Sequence, residues 1–92
     1  MNVTDKPIAN PLVVLREEFD DWAVLFNPDN ADAIGTNPVG VAVWQRMDGT
    51  RTLEQIVAEI KNEFAEPSAT MPAEIAEFVD DLVSKGFVGL DV

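Results

Sequence analysis

The stretch that most constrains the fold runs from Asn37 to Val57 and reads NPVGVAVWQRMDGTRTLEQIV. Asn37 can cap a helix whose first position is Pro38, which has no N–H to leave unsatisfied. Thr52 and Gln55, three residues apart, have the spacing of a capping box. The stretch therefore predicts two short helices joined by a tight turn, an arrangement typical of helix-turn-helix folds.

Three helices are predicted in the second part of the chain. The first runs from Pro38 to about Met47, and Gly49 suits the left-handed conformation that ends helices. The second begins after the capping box and continues to about Phe64. The third begins near Pro72 and closes at Gly86. Apolar residues recur at helical spacing in the last two, at Leu53, Ile56, Val57, Ile60, Phe64, Ile75, Phe78, Val79, Leu82 and Val83.

Short strands are predicted before and after the helices. Leu12 to Leu15, Trp22 to Phe26 and Ala31 to Thr36 are apolar runs, and the turn residues NPDN separate the last two. Phe87 to Leu90 suits a small terminal strand or an apolar tail. The order predicts an α+β fold of the winged helix-turn-helix type, in which a three-stranded antiparallel sheet is followed by three helices.

The first ten residues show little periodicity, so we expect a flexible lead-in over residues 1–10 and a single domain over residues 11–92. Trp22 and Trp44 each lie in an apolar periodic segment and are predicted to be core aromatics. No apolar run is long enough to span a bilayer, so we expect a cytoplasmic chain with no membrane partner.

Composition argues against several classes of function. The chain has no cysteine and no histidine, which removes the common nucleophiles, bases and metal ligands, so neither catalysis nor a cofactor or metal site is predicted. Six basic residues stand against seventeen acidic ones, for a net charge of -11. Such a field repels nucleic-acid phosphates and favours basic or neutral partners.

Three stretches follow the pattern of a known family: LFNPDNADAIGTNP (Leu25 to Pro38), DGTRTLEQIV (Asp48 to Val57) and EIAEFVDDLVSKGFV (Glu74 to Val88). With them the chain resembles the pyrroloquinoline quinone biosynthesis protein D (PqqD) family. Members of that family act as peptide chaperones and share the precursor recognition domain of ribosomal peptide modification systems. The positions that match are caps, turns and core residues, namely Asn37, Asp48, Gly49, Arg51, Thr52, Ile56, Val57 and Gly86.

The resemblance implies a mode of peptide binding. The leader segment of a precursor peptide is expected to add as a strand to the third predicted strand, with side chains entering a groove floored by the third helix. The third strand has small, uncharged edge residues, and the helix has an apolar arc wider than one core face needs. In this interpretation Phe78 and Leu82 face the interior. The expected peptide-binding residues are Ala31, Ala33, Ile34, Gly35, Ala76, Val79, Asp80 and Val83.

The function implied is that of a non-catalytic peptide chaperone, which holds the leader of a precursor and presents it to a modifying enzyme. By the same resemblance that partner is a radical S-adenosylmethionine (radical SAM) maturase. Any iron–sulfur cluster would belong to the maturase, since this chain has no cysteine to bind one. Two alternatives stay open: a winged-helix DNA-binding regulator, and an adaptor that binds only the modifying enzyme.

Overall fold

A computed structural model describes residues 2, 4–18, 22–64 and 69–91 of the chain. Strands and helices follow in the order β1 (Lys6–Ala9), β2 (Val14–Glu17), β3 (Ala23–Asn27), β4 (Asp32–Thr36), α1 (Pro38–Gln45), α2 (Leu53–Glu63), α3 (Met71–Ser84) and β5 (Val88–Asp91). Strands β2, β3 and β4 form an antiparallel sheet in that order, and the three helices follow it. The predicted α+β fold, a three-stranded antiparallel sheet followed by three helices, is confirmed.

Both predicted helix caps are formed. The Asn37 side chain accepts a hydrogen bond of 2.9 Å from the Gly40 N–H at the start of α1. At the start of α2, the Gln55 N–H donates to the Thr52 hydroxyl at 3.1 Å, and the Thr52 N–H donates to the Gln55 side chain at 2.9 Å. Each cap satisfies backbone donors that have no partner within the helix, so these residues fix where the helices begin.

The core lies between the inner face of the sheet and the apolar stripes of the helices. On β3 the inner face consists of alternate residues, and Ala23, Leu25 and Asn27 are all buried. Helix α3 contributes four buried residues three or four positions apart, at Met71, Ile75, Val79 and Leu82. Full burial of one such aliphatic side chain contributes about 1.5–3 kcal/mol to folding, so this stripe holds α3 in the core beside α1, α2 and β5.

The N-terminal segment corrects one prediction. Lys6–Ala9 are not a flexible lead-in but form β1, which pairs antiparallel with β5 in a two-stranded sheet. The Ala9 N–H donates to the Met47 carbonyl at 2.7 Å, and the Gly49 N–H donates to the Pro7 carbonyl at 3.1 Å. The partner strand lies at the opposite end of the sequence, so no local sequence pattern predicts the pairing. Residues 1 and 3 lie outside the described residues.

An ion-pair network holds the turn between α1 and α2. Arg46 contacts Glu59 at 3.3 Å and Glu63 at 2.6 Å. Arg51 contacts Glu59 at 2.9 Å and Asp48 at 3.0 Å. Both guanidinium groups of the helix-turn-helix region are therefore engaged by carboxylates of the chain itself. They are therefore poorly placed to bind DNA phosphates. A DNA-binding helix needs such phosphate contacts to hold it in position before it can read the bases.

Asp48 links this turn to the pH dependence of stability. Hydrogen bonds from the Thr50 hydroxyl at 2.6 Å and the Thr50 N–H at 2.9 Å, assisted by the Arg51 guanidinium, lower the pKa of its carboxyl below the ordinary value. A lowered pKa means that the native state favours the ionised form. The stability that the ionised Asp48 carboxyl contributes is present above the ordinary aspartate pKa, and it is lost as the pH falls through the lowered pKa.

We therefore expect Asp48→Asn to lower the Tm at neutral pH, and the difference from the unsubstituted chain to shrink as the pH falls below about 4, the ordinary pKa of an aspartate, and through the lowered pKa of Asp48. Thermal unfolding followed by circular dichroism at a series of pH values measures this difference. A Tm difference that stayed constant into acid would show that the ionised carboxyl of Asp48 does not stabilise the turn.

The two tryptophans have different environments. Trp44 is buried in the core with 8% of its surface exposed, as predicted. Trp22 was predicted to be a core residue, and that prediction is wrong, because 53% of its surface is exposed. It lies just before the first residue of β3, whereas Ala23 and Leu25 within the strand are buried. Within the described part of the chain, no helix is long and apolar enough to cross a membrane.

Candidate functional site

In the part of the chain that the structure describes, strand β4 has one edge that no other strand covers, because its sheet ends there. The direction of its backbone groups follows from the register. Beyond the end of β2, the Glu18 N–H donates to the Trp22 carbonyl at 2.7 Å, which makes this a hydrogen-bonded pair. Hydrogen-bonded pairs alternate along an antiparallel ladder, so Val24 and Phe26 bond to β2, while Ala23, Leu25 and Asn27 bond to β4.

The same alternation fixes which groups of β4 are available. The partners of Ala23, Leu25 and Asn27 on β4 are Thr36, Ile34 and Asp32, so these three direct their N–H and C=O groups to β3. Ala33 and Gly35 direct theirs to the open edge. A strand added at this edge would therefore form main-chain hydrogen bonds with Ala33 and Gly35.

The two edges of the sheet differ in their protection. The β2 edge carries Arg16 and Glu17 in adjacent positions, and charged side chains on an edge strand discourage pairing with another chain. The central residues of β4, Ala33 to Gly35, are small or apolar and carry no charge. Of the two edges, β4 is the one suited to accept a guest strand.

A groove of about 370 Å³ runs beside this edge, between β4 and α3. Ile34 and Thr36 point to the inner side of β4 and form one wall, and Phe78 of α3 faces them. The full lining comprises Trp22, Ile34, Gly35, Thr36, Asn37, Gly40, Glu74, Ile75, Phe78 and Asp81. The groove is thus apolar at its centre and lies directly against the open strand edge.

Gly40 lets α1 pack closely against Thr36 and Phe78, two residues that line the groove. A Cβ atom built on Gly40 would collide with the Thr36 hydroxyl, and it would lie 3.1 Å from the Thr36 Cβ and 3.3 Å from the Phe78 ring. Gly35, at the strand edge, is the opposite case, because a Cβ there would have no atom within 4 Å. Of these two positions, only Gly40 must be a glycine because of close packing.

Two carboxylates stand at the rim of the groove, on either side of Phe78 along α3. Glu74 accepts a hydrogen bond of 2.9 Å from the Thr70 hydroxyl, and Asp81 pairs with Lys85 at 3.1 Å. The hydroxyl is uncharged, so this hydrogen bond orients the Glu74 carboxylate without forming an ion pair. A basic residue of a bound peptide would find a favourable partner there, although an exposed pair of this kind adds only about 0.2–1 kcal/mol.

The structure brings three of the eight predicted peptide-binding residues to this site. Ala33, Ile34 and Gly35 lie on β4 as predicted. Ala31 belongs to the turn before β4, with φ of 61°, so the strand begins one residue later than predicted. Asp80 is exposed on the solvent side of α3 and does not line the groove beside β4.

The predicted groove face of α3 requires a correction. Val79 is fully buried in the core, and Ala76 and Val83 pack partly buried against the core without lining the groove. Phe78, predicted to face the interior, lines the groove instead, whereas Leu82 is fully buried as predicted. Neighbouring residues on a helix point about 100° apart. Moving the assigned core face by one position therefore places Val79 in the core and turns Phe78 to the groove.

Comparison with known proteins assigns the family. Residues 23–88 match the sequence model of the family described as Coenzyme PQQ synthesis protein D (PqqD). The chain belongs to the PqqD family. Two PqqD relatives, each named "PqqA binding protein", come from Xanthomonas euvesicatoria pv. vesicatoria (strain 85-10) and Xanthomonas axonopodis pv. citri (strain 306). Each is 35% identical over 71 residues, which cover 77% of this chain and 74% of the relative.

A solved structure agrees with the PqqD fold described above. It is titled "TbiB1 in Complex with the TbiA(beta) Leader Peptide" and superposes with a TM-score of 0.70 at 23% sequence identity, covering 88% of this chain and 93% of that one. At this level of identity the likeness supports the fold alone. The family match begins at Ala23, the first residue of β3, so it includes both β4 and α3.

Proposed function

We propose that this chain is a non-catalytic peptide chaperone that binds the leader of a ribosomally made precursor peptide and presents it to a modifying enzyme. The leader adds as a strand to the edge of β4, and its inward side chains enter the groove between β4 and α3. The observation that carries the proposal is the open, uncharged edge at Ala33 and Gly35, bordered by the apolar groove around Phe78. The relatives' names and the complex of TbiB1 with a leader peptide support it.

The energetics of this mode suit a transient chaperone. Ala33 and Gly35 together offer two N–H donors and two C=O acceptors, and each hydrogen bond contributes about 0.5–1.5 kcal/mol net. One bulky apolar side chain buried in the groove adds about 1.5–3 kcal/mol, and further leader contacts along Asp32–Thr36 extend the interface. After the cost of ordering the leader, we expect affinity in the micromolar range.

We propose further that the modifying enzyme is of the radical SAM type and that the pair acts in the cytoplasm, where ribosomal precursors are made. In this arrangement the chaperone supplies binding and orientation. The cofactor and the chemistry belong to the enzyme. The net charge of -11 favours precursors and enzyme surfaces that are basic.

Isothermal titration calorimetry tests the proposal. The full chain is titrated with the PqqA peptide of the Xanthomonas relatives, with any short peptide and any radical SAM enzyme encoded near this chain's gene, and with duplex DNA at the same moderate salt. We expect saturable, micromolar binding of at least one peptide and no binding of DNA. Tight binding of DNA without peptide binding would favour a winged-helix regulator. Binding of the enzyme alone, with neither peptide bound, would favour an adaptor.

A further inference from the structure

The sheet has a second exposed surface, on the side turned away from the leader groove, which it borders at Gly35 on the β4 edge. Its outer face is turned away from the helices. Successive strand residues point to opposite faces, so this face is formed by the residues that alternate with the buried positions of β3 and by their cross-strand partners. They are Val14 and Arg16 on β2, Val24 and Phe26 on β3, and Ala33 and Gly35 on β4. Val14 and Phe26 are direct cross-strand partners, with 54% and 40% of their surfaces exposed. Large apolar side chains therefore lie together in solvent on this outer face.

The distribution of charge on the outer face is unlike that of the whole chain. The chain carries seventeen acidic residues, yet none of the six positions of the outer face is acidic, and all six are described by the structure. Its one charged residue is Arg16, which lies 3.8 Å from Glu18 at the end of β2. A sheet face that meets only water normally alternates to polar residues, whereas a clustered apolar face marks an interaction surface.

The outer face continues directly into the proposed leader site. Ala33 and Gly35 belong to the outer face through their side-chain direction and to the β4 edge through their backbone groups. A strand added to that edge extends the sheet, and its alternate side chains then stand beside Ala33 and Gly35 on the outer face. The bound leader would thus present one set of side chains to the groove and the interleaved set to the outer face.

A second copy of this chain is a poor occupant of the outer face, because each copy carries a net charge of -11 and the two would repel each other. An apolar surface bordered by lysine and arginine fits better, since it matches the apolar centre and is attracted by the surrounding acidic chain.

We propose that the outer face docks the modifying enzyme, and that the bound leader completes the docking surface, so that the enzyme contacts leader and sheet together. This inference rests on the proposed function. It assigns separate tasks to the two sides of the sheet: the groove side sets the affinity for the leader, and the outer side recruits the enzyme.

The test uses Phe26→Glu and Val14→Glu, which place a charge at exposed positions of the outer face, with Ala58→Glu on the exposed surface of α2 as a control of equal charge. Leader affinity is measured by calorimetry, and precursor modification is measured with the purified precursor and modifying enzyme that the titrations described above identify as binding the chain. We expect both outer-face variants to keep leader affinity within about twofold and to lower the modification rate at least tenfold, whereas the control changes neither.

An alanine scan of the leader provides a second measurement with the unsubstituted chain. If the proposal is right, the two effects alternate along the leader. Substitutions at one set of positions weaken binding to the chain, and substitutions at the interleaved set slow modification without weakening that binding. A full modification rate with Phe26→Glu and Val14→Glu, at unchanged leader affinity, would overturn the docking proposal and leave the chaperone function intact. Failure of the unsubstituted chain to bind the leader would overturn both.

Discussion

Ala33→Pro is expected to weaken leader binding about tenfold or more while the fold is retained. The substitution removes an N–H that points to the open edge of β4, and the proline ring occupies space next to the guest strand. Loss of one hydrogen bond, with a buried acceptor left unpaired on the leader, costs about 1–3 kcal/mol, and 1.4 kcal/mol corresponds to tenfold in affinity. Because Ala33 does not bond to β3, the β3–β4 ladder stays intact. Calorimetry with the leader peptide and circular dichroism measure the two effects.

Glu17→Pro is the matched control. Glu17 directs its N–H to the opposite open edge, that of β2, by the same alternation that assigns Ala33 to the β4 edge. This variant should bind the leader as the unsubstituted chain does. Equal affinity of the Ala33→Pro variant and the unsubstituted chain would show that the peptide does not dock at the β4 edge, and a loss confined to Glu17→Pro would place it on β2.

Gly40→Ala is expected to lower the free energy of unfolding by about 1–3 kcal/mol, the usual cost of overpacking a filled site. Replacing an exposed helical glycine with alanine normally raises the free energy of unfolding by about 1 kcal/mol. A decrease would therefore indicate that Gly40 is closely packed. Here the new methyl group meets the Thr36 side chain and the Phe78 ring. Relief of that contact would move Phe78 into the groove, so leader affinity should fall as well. Urea unfolding and calorimetry measure the two quantities.

Gly35→Ala makes the same chemical change at a position with open space around the new methyl group. It should be neutral or stabilising by about 0.4–1 kcal/mol, because alanine restricts the unfolded chain more than glycine does. If both substitutions stabilised the protein, the close packing of α1 against β4 and α3 would be refuted.

The helices were predictable because their signals are local. Asn37 and Thr52 act through bonds to residues three positions away, and the apolar period of α2 and α3 lies within each segment. The strand β1 was not predictable in this way, since its partner β5 is some eighty residues distant and its four residues include a proline. Pairing of the chain ends is decided by tertiary contacts that a local pattern does not contain.

The lining of the candidate groove was predicted on the strand but not on the helix. Ala33 and Gly35 follow from the rule that small, uncharged edges accept strands, and their edge-facing direction agrees with it. On α3 the apolar arc is wide enough to allow two core faces, and the choice between Phe78 and Val79 depends on how α3 rotates against β4. That rotation is set in part by Gly40, which lets the Phe78 ring approach α1. Trp22 was missed because an apolar strand residue gives no local sign of which sheet face remains open.

Residue-resolved amide hydrogen exchange by NMR, with and without the leader peptide that binds most tightly, tests most directly whether a guest strand adds to β4. The account predicts that the amides of Ala33 and Gly35 gain protection when the peptide binds, while those of Leu15 and Glu17 on the β2 edge are unchanged. Protection confined to β2 or to α2, with the amides of Ala33 and Gly35 exchanging as fast as in the free chain, would contradict it.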